Sequence, residues 1–138
     1  MKPTSKCQGR GIFIFNKIAD ISRWKSYNKD NPPEPYVCQK YLMNPMLLGG
    51  RKFDMRIYAL CTSYNPLTIY LYRAGFARFA HDRYDNFDTE NLCRWRDILD
   101  KHLTNVAINI NAPNYIKRIG GKWFLEELKK YMLSKFGV

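Results

Sequence analysis

Lys52, Asp54 and Arg56 occupy alternate positions in the run Gly49-Gly50-Arg51-Lys52-Phe53-Asp54-Met55-Arg56-Ile57-Tyr58-Ala59-Leu60. In an extended strand successive side chains point to opposite faces. These three and Tyr58 therefore share one face, and Phe53, Met55, Ile57, Ala59 and Cys61 share the other. Neighbours on one face stand roughly 7 Å apart, which suits a grip on successive groups of one anionic ligand. A half-buried strand alternates without binding anything, but a polar face of Lys, Asp and Arg rather than Ser, Thr and Gln favours a charged site. A second candidate is Gln8-Gly9-Arg10-Gly11-Ile12, a loop whose amides could close over phosphates, with Lys2, Lys6 and Arg10 around it. It has neither the Walker A spacing nor the G-x-G-x-x-G spacing, so taken alone the glycine pair specifies only a turn.

The elements that must position these groups follow from local pattern. Thr4–Gly11 reads as a small-residue loop and Gly11–Phe15 as a short apolar strand, together a hairpin whose loop carries the glycines. Asn16 to about Tyr27 reads as a helix, with Ile18, Ile21 and Trp24 at helical spacing. Asn28–Pro35, with three prolines, is an extended connector. Tyr36–Leu42 is a second strand, Met43–Gly50 a loop, and the charged strand follows. Ser63-Tyr64-Asn65-Pro66 turns the chain so that Leu67–Tyr72 returns antiparallel. Arg73-Ala74-Gly75 turns it again into Phe76–Ala80. Arg73 and Arg78 share parity with apolar residues, so the strand either ends before Arg73 or is re-aimed by a bulge near Gly75. Residues 81–101 read as an acidic surface loop with a helical turn around Trp95–Lys101. His102–Ile108 is strand-like, Asn109–Gly121 is loop, and Trp123–Phe136 is the clearest helix, with Gly137 suited to its end.

Composition bounds the function. The 138 residues are 46% hydrophobic and 15% aromatic, enough to bury a core and too apolar for disorder. No apolar run approaches the ~18 residues of a membrane helix, and no secretory leader is legible. The four cysteines lie more than twenty residues apart with no C-x-x-C, which points to free thiols and a soluble protein of a reducing compartment. The net charge is +11, and residues 1–81 hold 13 basic side chains against 4 acidic ones. Such a field attracts polyanions: nucleotides, nucleic acid, an acidic lipid face or acidic protein tails.

Six stretches, in one order and over nearly the whole chain, resemble the tubulin tyrosine ligase-like family. They are Lys2-Pro3, Gln8–Ile12, Gln39-Lys40-Tyr41-Leu42, Gly49–Tyr58, Leu71–Phe79 and His102–Asn109. Gly121-Lys122-Trp123 with the following helix is similar to the glutamylating members, especially the tubulin polyglutamylase 9-like group. The resemblance implies an α+β, ATP-grasp-like fold, mostly antiparallel sheet with flanking helices, of which the chain is a part. It implies that ATP phosphorylates a carboxylate and that the amine of free glutamate attacks the acylphosphate. The acceptor would be a glutamate side chain of an acidic tubulin tail. The expected setting is cytoplasm and cytoskeleton, with cilia and flagella (axoneme, basal body) by the same resemblance.

By that resemblance Lys2 contacts the ATP phosphates and the loop Gln8, Gly9, Arg10, Gly11 and Ile12 covers them. Gln39, Lys40, Tyr41 and Leu42 form the adenine-side hinge. Lys52 and Asp54 hold ribose and phosphates, and Thr104 and Asn105 line the phosphate side. Arg56 and Arg73 are the catalytic pair, binding carboxylates of the incoming amino acid or the acylphosphate, a task suited to a guanidinium fork. Phosphoryl transfer between anions calls for such cations and amide donors where charge develops. Without the motif context Lys2 and Lys40 are ordinary surface lysines. His102 is expected to be a structural hydrogen-bonder rather than a base, and Tyr41, Tyr58, Tyr70 and Tyr72 are expected to be packing residues.

The family brings Mg²⁺ through acidic and Asn ligands in an E-V-N-like motif, which these 138 residues lack. The metal ligands are therefore expected outside this chain, and the domain is expected to be incomplete at both ends and nearly inactive alone. Two other readings remain open. One is a basic aromatic nucleic-acid-binding module, against which Asp54 counts because it repels phosphates. The other is an inactive tubulin-binding remnant.

Overall fold

The computed structural model describes residues 1–27, 34–85, 95–110, 112 and 121–137. The proline connector at 28–33, the middle of the acidic segment at 86–94 and most of the loop before Gly121 lie outside the described residues.

The charged run forms the long strand β4. In chain order the elements are β1 (Lys2–Pro3), α1 (Ile18–Tyr27), β2 (Tyr36–Val37), β3 (Leu47–Leu48), β4 (Arg51–Tyr64), β5 (Leu67–Phe79), α2 (Trp95–His102), α3 (Val106–Asn109), β6 (Lys122–Phe124) and α4 (Leu125–Phe136). β1 pairs with β2 in a two-stranded sheet, and β3-β4-β5-β6 form a four-stranded antiparallel one. This mixed, mostly antiparallel arrangement agrees with the α+β expectation. Gly49 and Gly50 make the two-residue turn between β3 and β4, where Leu48 faces Arg51. Both have positive φ, 58° and 75°, as a tight hairpin of this hand requires.

Alternation along β4 sends Phe53 inward. Its ring stacks on Phe79 at 5.8 Å, and Phe79 meets Trp123 at 5.0 Å. Leu48, Ala77, Phe79 and Leu128 are buried together, with Leu125, Tyr131 and Met132 of α4 against them. α4 covers only this end of the β4–β5 hairpin. Beyond it Leu60, Leu67, Ile69 and Leu71 are exposed.

Of the two options at Arg73, a strand end or a bulge near Gly75, the fold takes the bulge. Ile57 faces Gly75 but Ala59 faces Leu71, so Tyr72, Arg73 and Ala74 together oppose Tyr58. β5 runs unbroken through them, and the expected turn at Arg73-Ala74-Gly75 is corrected to this irregularity.

Other expectations change too. Gly11–Phe15 is not a strand. Phe13 exchanges backbone hydrogen bonds with Met1, and its ring packs on Trp24 at 5.1 Å and Tyr36 at 6.1 Å, so the apolar run anchors an aromatic cluster. The strand from Tyr36 shrinks to two residues because β1, its partner, is only that long. Residues read as loop before Gly50 include β3. His102–Ile108 is the end of α2, a connector and α3, since the Asn105 carbonyl accepts from the amides of Ile108 and Asn109. Trp123 belongs to β6. α4 starts at Leu125, where the Phe124 amide donates to Glu127 Oε2 at 3.0 Å, and it ends on Gly137 with φ 72°. Tyr58, Tyr70 and Tyr72 are exposed rather than packed, with Tyr58 and Tyr72 meeting edge to face. No described helix is long and apolar enough to cross a membrane.

Candidate functional site

The glycine loop is a turn seated on α3. The Arg10 amide donates to Cys7 O and the Ile12 amide to Gly9 O, each at 3.2 Å, and Gln8, Gly9 and Gly11 all have positive φ. Gly9 has φ 80°, a conformation that favours glycine, and a Cβ there would press on the end of the Ile108 side chain at 2.5 Å and stand 3.3 Å from Asn105 Cγ. Residues 8–12 wall a cavity of about 670 Å³. Its other sides are Trp24 and Tyr36 from the aromatic cluster and Asp100 and Ile108 from the helices. Pro3 lies beside the loop, its Cγ 3.3 Å from where a Cβ on Gly11 would be.

A second cluster forms around Lys52. Its ammonium donates to Tyr41 Oη at 3.0 Å and to the His102 carbonyl at 3.1 Å. Tyr41 Oη is 2.9 Å from His102 Nδ1, and His102 Nε2 faces Asp85 Oδ1 at 3.8 Å. Asp85 is in turn paired with Lys101. Tyr84 stacks edge to face on the His102 ring and donates to the Met43 carbonyl at 2.6 Å.

Burial sets the protonation of this group. His102 is 2% exposed, and desolvation, helped by Lys52 and Lys101 and opposed by Asp85, pushes its pKa down to about 4. Desolvation likewise raises the Tyr41 phenol and lowers the Lys52 ammonium, the latter against the pull of Asp54. Near neutral pH the cluster is therefore a charged lysine, a protonated phenol and a neutral imidazole.

Asp54, on the same face of β4, is held by Arg78 directly across on β5. Arg78 Nε donates to both carboxylate oxygens, at 3.1 and 3.2 Å, and Nη2 closes the fork. Register alone reveals this pair, since nothing in the local pattern of β5 marks Arg78 as its partner.

The predicted site residues thus fall into four groups, of which Asp54 with its partner Arg78 is one. Gln8–Ile12 line the cavity and Gly9 lies against Asn105, with Thr104 half-buried just before Asn105. Tyr41 and Lys52 meet at His102, three residues before Asn105, which links the two clusters through one connector. Lys2, Gln39, Lys40, Leu42, Arg56 and Arg73 are exposed. Arg56 stands opposite Phe76 and Arg73 sits in the bulge, and neither is among the described residues that line the cavity. Full convergence of the cations on one pocket is therefore not what the fold displays. His102 fills the structural role expected of it. Sequence reasoning missed Asp85, Asp100 and Tyr84, which come from the acidic segment and carry no motif. Among the described residues no three His, Cys, Asp or Glu side chains cluster as a metal site.

The arrangement can close amides over phosphate oxygens and offer a half-buried ammonium to an anion. The sequence model of the Tubulin-tyrosine ligase family matches residues 1–136. The chain is 43% identical over 143 residues to a "Probable alpha-tubulin polyglutamylase Ttll1" of Tetrahymena thermophila, covering 99% of this chain and 33% of that protein. It is 37% identical to the "Probable tubulin polyglutamylase TTLL9" of Bos taurus, covering 99% and 35%. To the "Tubulin polyglutamylase TTLL6" of Mus musculus it is 38% identical, covering 95% and 15%. The chain spans about a third of the length of the first two of these relatives.

Proposed function

Because this chain belongs to the tubulin-tyrosine ligase family, we propose that it contributes part of the catalytic domain of an ATP-dependent ligase that adds glutamate to glutamate side chains of tubulin tails. ATP transfers its terminal phosphoryl group to the acceptor carboxylate, which gives an acylphosphate and releases ADP. The glutamate amine then attacks that carbon, a C–N bond forms, and phosphate leaves with the C–O bond's electron pair. The residues here would bind and orient. The turn at Gln8–Ile12 covers the phosphates, Asn105 and Thr104 line their far side, and the segment around Tyr41 flanks the base. Lys52 supplies positive charge to a phosphate oxygen. Asp54, kept in place by Arg78, faces the ribose. Arg56 and Arg73, exposed in this structure, would meet carboxylates of substrate.

The observation that carries this reading is the glycine turn seated on residues 105–108, one connector away from a desolvated lysine. Mg²⁺, whose ligands are expected outside these 138 residues, would neutralise phosphate charge on the nucleotide, and among the described residues no three His, Cys, Asp or Glu side chains cluster to hold it. The excess of basic side chains suits acidic tails and a cytoskeletal location, with cilia a narrower case of the same proposal. The names of the relatives support tubulin as substrate and leave the nucleic-acid alternative without support.

The test is incubation of the protein with ATP, isotope-labelled glutamate and microtubules, followed by mass analysis of the tubulin tails. ATP-dependent label on tail glutamates, lost when the tails are removed, is the expected result for the protein that carries this domain. Label that appears without ATP, or on no tubulin at all, overturns the assignment.

A further inference from the structure

An ammonium has three donors, and direction matters when it must meet one oxygen of a ligand. Lys52 spends two of them on fixed acceptors: Tyr41 Oη at 3.0 Å and the His102 carbonyl at 3.1 Å. Both acceptors are themselves held. The carbonyl belongs to the last residue of α2, whose side chain is almost fully buried. The phenol sits between Lys52 and His102 Nδ1, with Nζ 4.6 Å from the centre of its ring.

The proton positions follow from the surroundings. Nε2 of His102 looks toward the Asp85 carboxylate, which favours an N–H there. Nδ1 is then bare and accepts from the Tyr41 hydroxyl, leaving the phenol's lone pairs to receive Lys52. Tyr84, whose own proton goes to Met43 O, offers the Tyr41 hydroxyl a second acceptor, and the tautomer of His102 decides between the two arrangements.

We propose that Tyr41 and His102 are positioning residues for Lys52. They form a relay from Asp85 through the imidazole and the phenol to the ammonium, and it aims the third Lys52 proton at an anionic oxygen of the nucleotide. The proposal rests on the nucleotide reading above and adds to it residues that need not touch the ligand with their side chains. A lysine on a four-carbon stem is otherwise free to rotate, and fixing it before the ligand arrives removes part of the ordering cost of binding.

The experiment is a double-mutant cycle on ATP affinity, with the 138-residue chain as wild type, Tyr41→Phe, Lys52→Met and the double variant. Tyr41→Phe keeps the ring and removes one hydroxyl. It is expected to weaken ATP by about tenfold in the wild-type background, as loss of a hydrogen bond to a charged group does. In the Lys52→Met background it should change affinity by less than about twofold, because the lysine through which it acts is gone. An equal loss in both backgrounds overturns the positioning role. Loss of ATP binding in neither single variant overturns it as well. A wild-type chain that does not bind ATP at all sinks the nucleotide reading and takes the proposal with it. That outcome is distinct from binding with additive losses. Nitrogen-15 spectra of the histidines supply the readout that a merely structural role leaves unmoved. The expected spectrum has His102 neutral with its proton on Nε2 and a shifted Nδ1 resonance in Tyr41→Phe, and a proton on Nδ1 overturns the relay.

Discussion

Acidifying the protein should cost stability through His102 before most carboxylates titrate. The imidazole is 2% exposed, and burial, with Lys52 and Lys101, holds its pKa near 4 against an ordinary value of 6.5. Between those values the unfolded chain takes up a proton that the folded one refuses. Stability is therefore fully present above pH 6.5 and is lost as pH falls toward 4. The whole gap is worth about 3 kcal/mol, and the part lost between pH 7.5 and pH 5 is about 2 kcal/mol. A domain of this size has roughly 5–15 kcal/mol in total, so the loss is measurable. The assay is urea unfolding followed by tryptophan fluorescence at several pH values, for wild type and His102→Gln. The variant has no imidazole at this position and should lose about 2 kcal/mol less over the same interval, whatever its absolute stability. Parallel curves for the two proteins would refute the reasoning, since the remaining groups titrate alike in both.

Other substitutions test other contacts. Gly9→Ala forces a Cβ to 2.5 Å from Ile108 Cδ1 at φ 80°. It should destabilise the turn by about 1–2 kcal/mol and weaken ATP binding at least about tenfold, read by calorimetry. Gly75→Ala puts a Cβ 2.6 Å from the Arg56 carbonyl oxygen, backbone that cannot yield cheaply, and should cost about 2–3 kcal/mol in urea unfolding. Asp54→Asn breaks the fork with the partly exposed Arg78 and should cost about 1 kcal/mol, with Arg78→Lys failing to preserve the pair because an ammonium lacks the two-pronged geometry. Leu128→Ala empties the centre of the core under α4 and should cost about 2–4 kcal/mol.

The alternation of Lys52 to Tyr58 was enough to place β4 and its two faces, and the parity conflict at Arg73 was enough to require either a strand end or a bulge near Gly75, of which the fold has the bulge. Both signals rest on the two-residue period of a strand, in which a slip of one position exchanges the faces. The helices α1 and α4 were legible for a similar reason, with apolar residues recurring at 3.6. What sequence could not supply was pairing between distant segments. Asp54 and Arg78 meet because of register across the hairpin, and Tyr41, Lys52 and His102 meet from three separate places in the chain. Short apolar runs misled in both directions. Phe13 serves an aromatic cluster rather than a strand, and Val106–Ile108 is too short for its period to distinguish helix from strand. The packing role assigned to Tyr58, Tyr70 and Tyr72 failed because β4 and β5 run on past the part of the hairpin that α4 covers.

ATP titrated into the nitrogen-15-labelled chain, with backbone and lysine resonances followed by NMR, tests the central claim most directly. The account predicts saturable shifts at Gly9, Gly11, Tyr41, Lys52 and Asn105, with Leu67–Leu71 at the far end of the hairpin unmoved. Shifts spread evenly over exposed lysines, growing without saturation and vanishing with added salt, would contradict it.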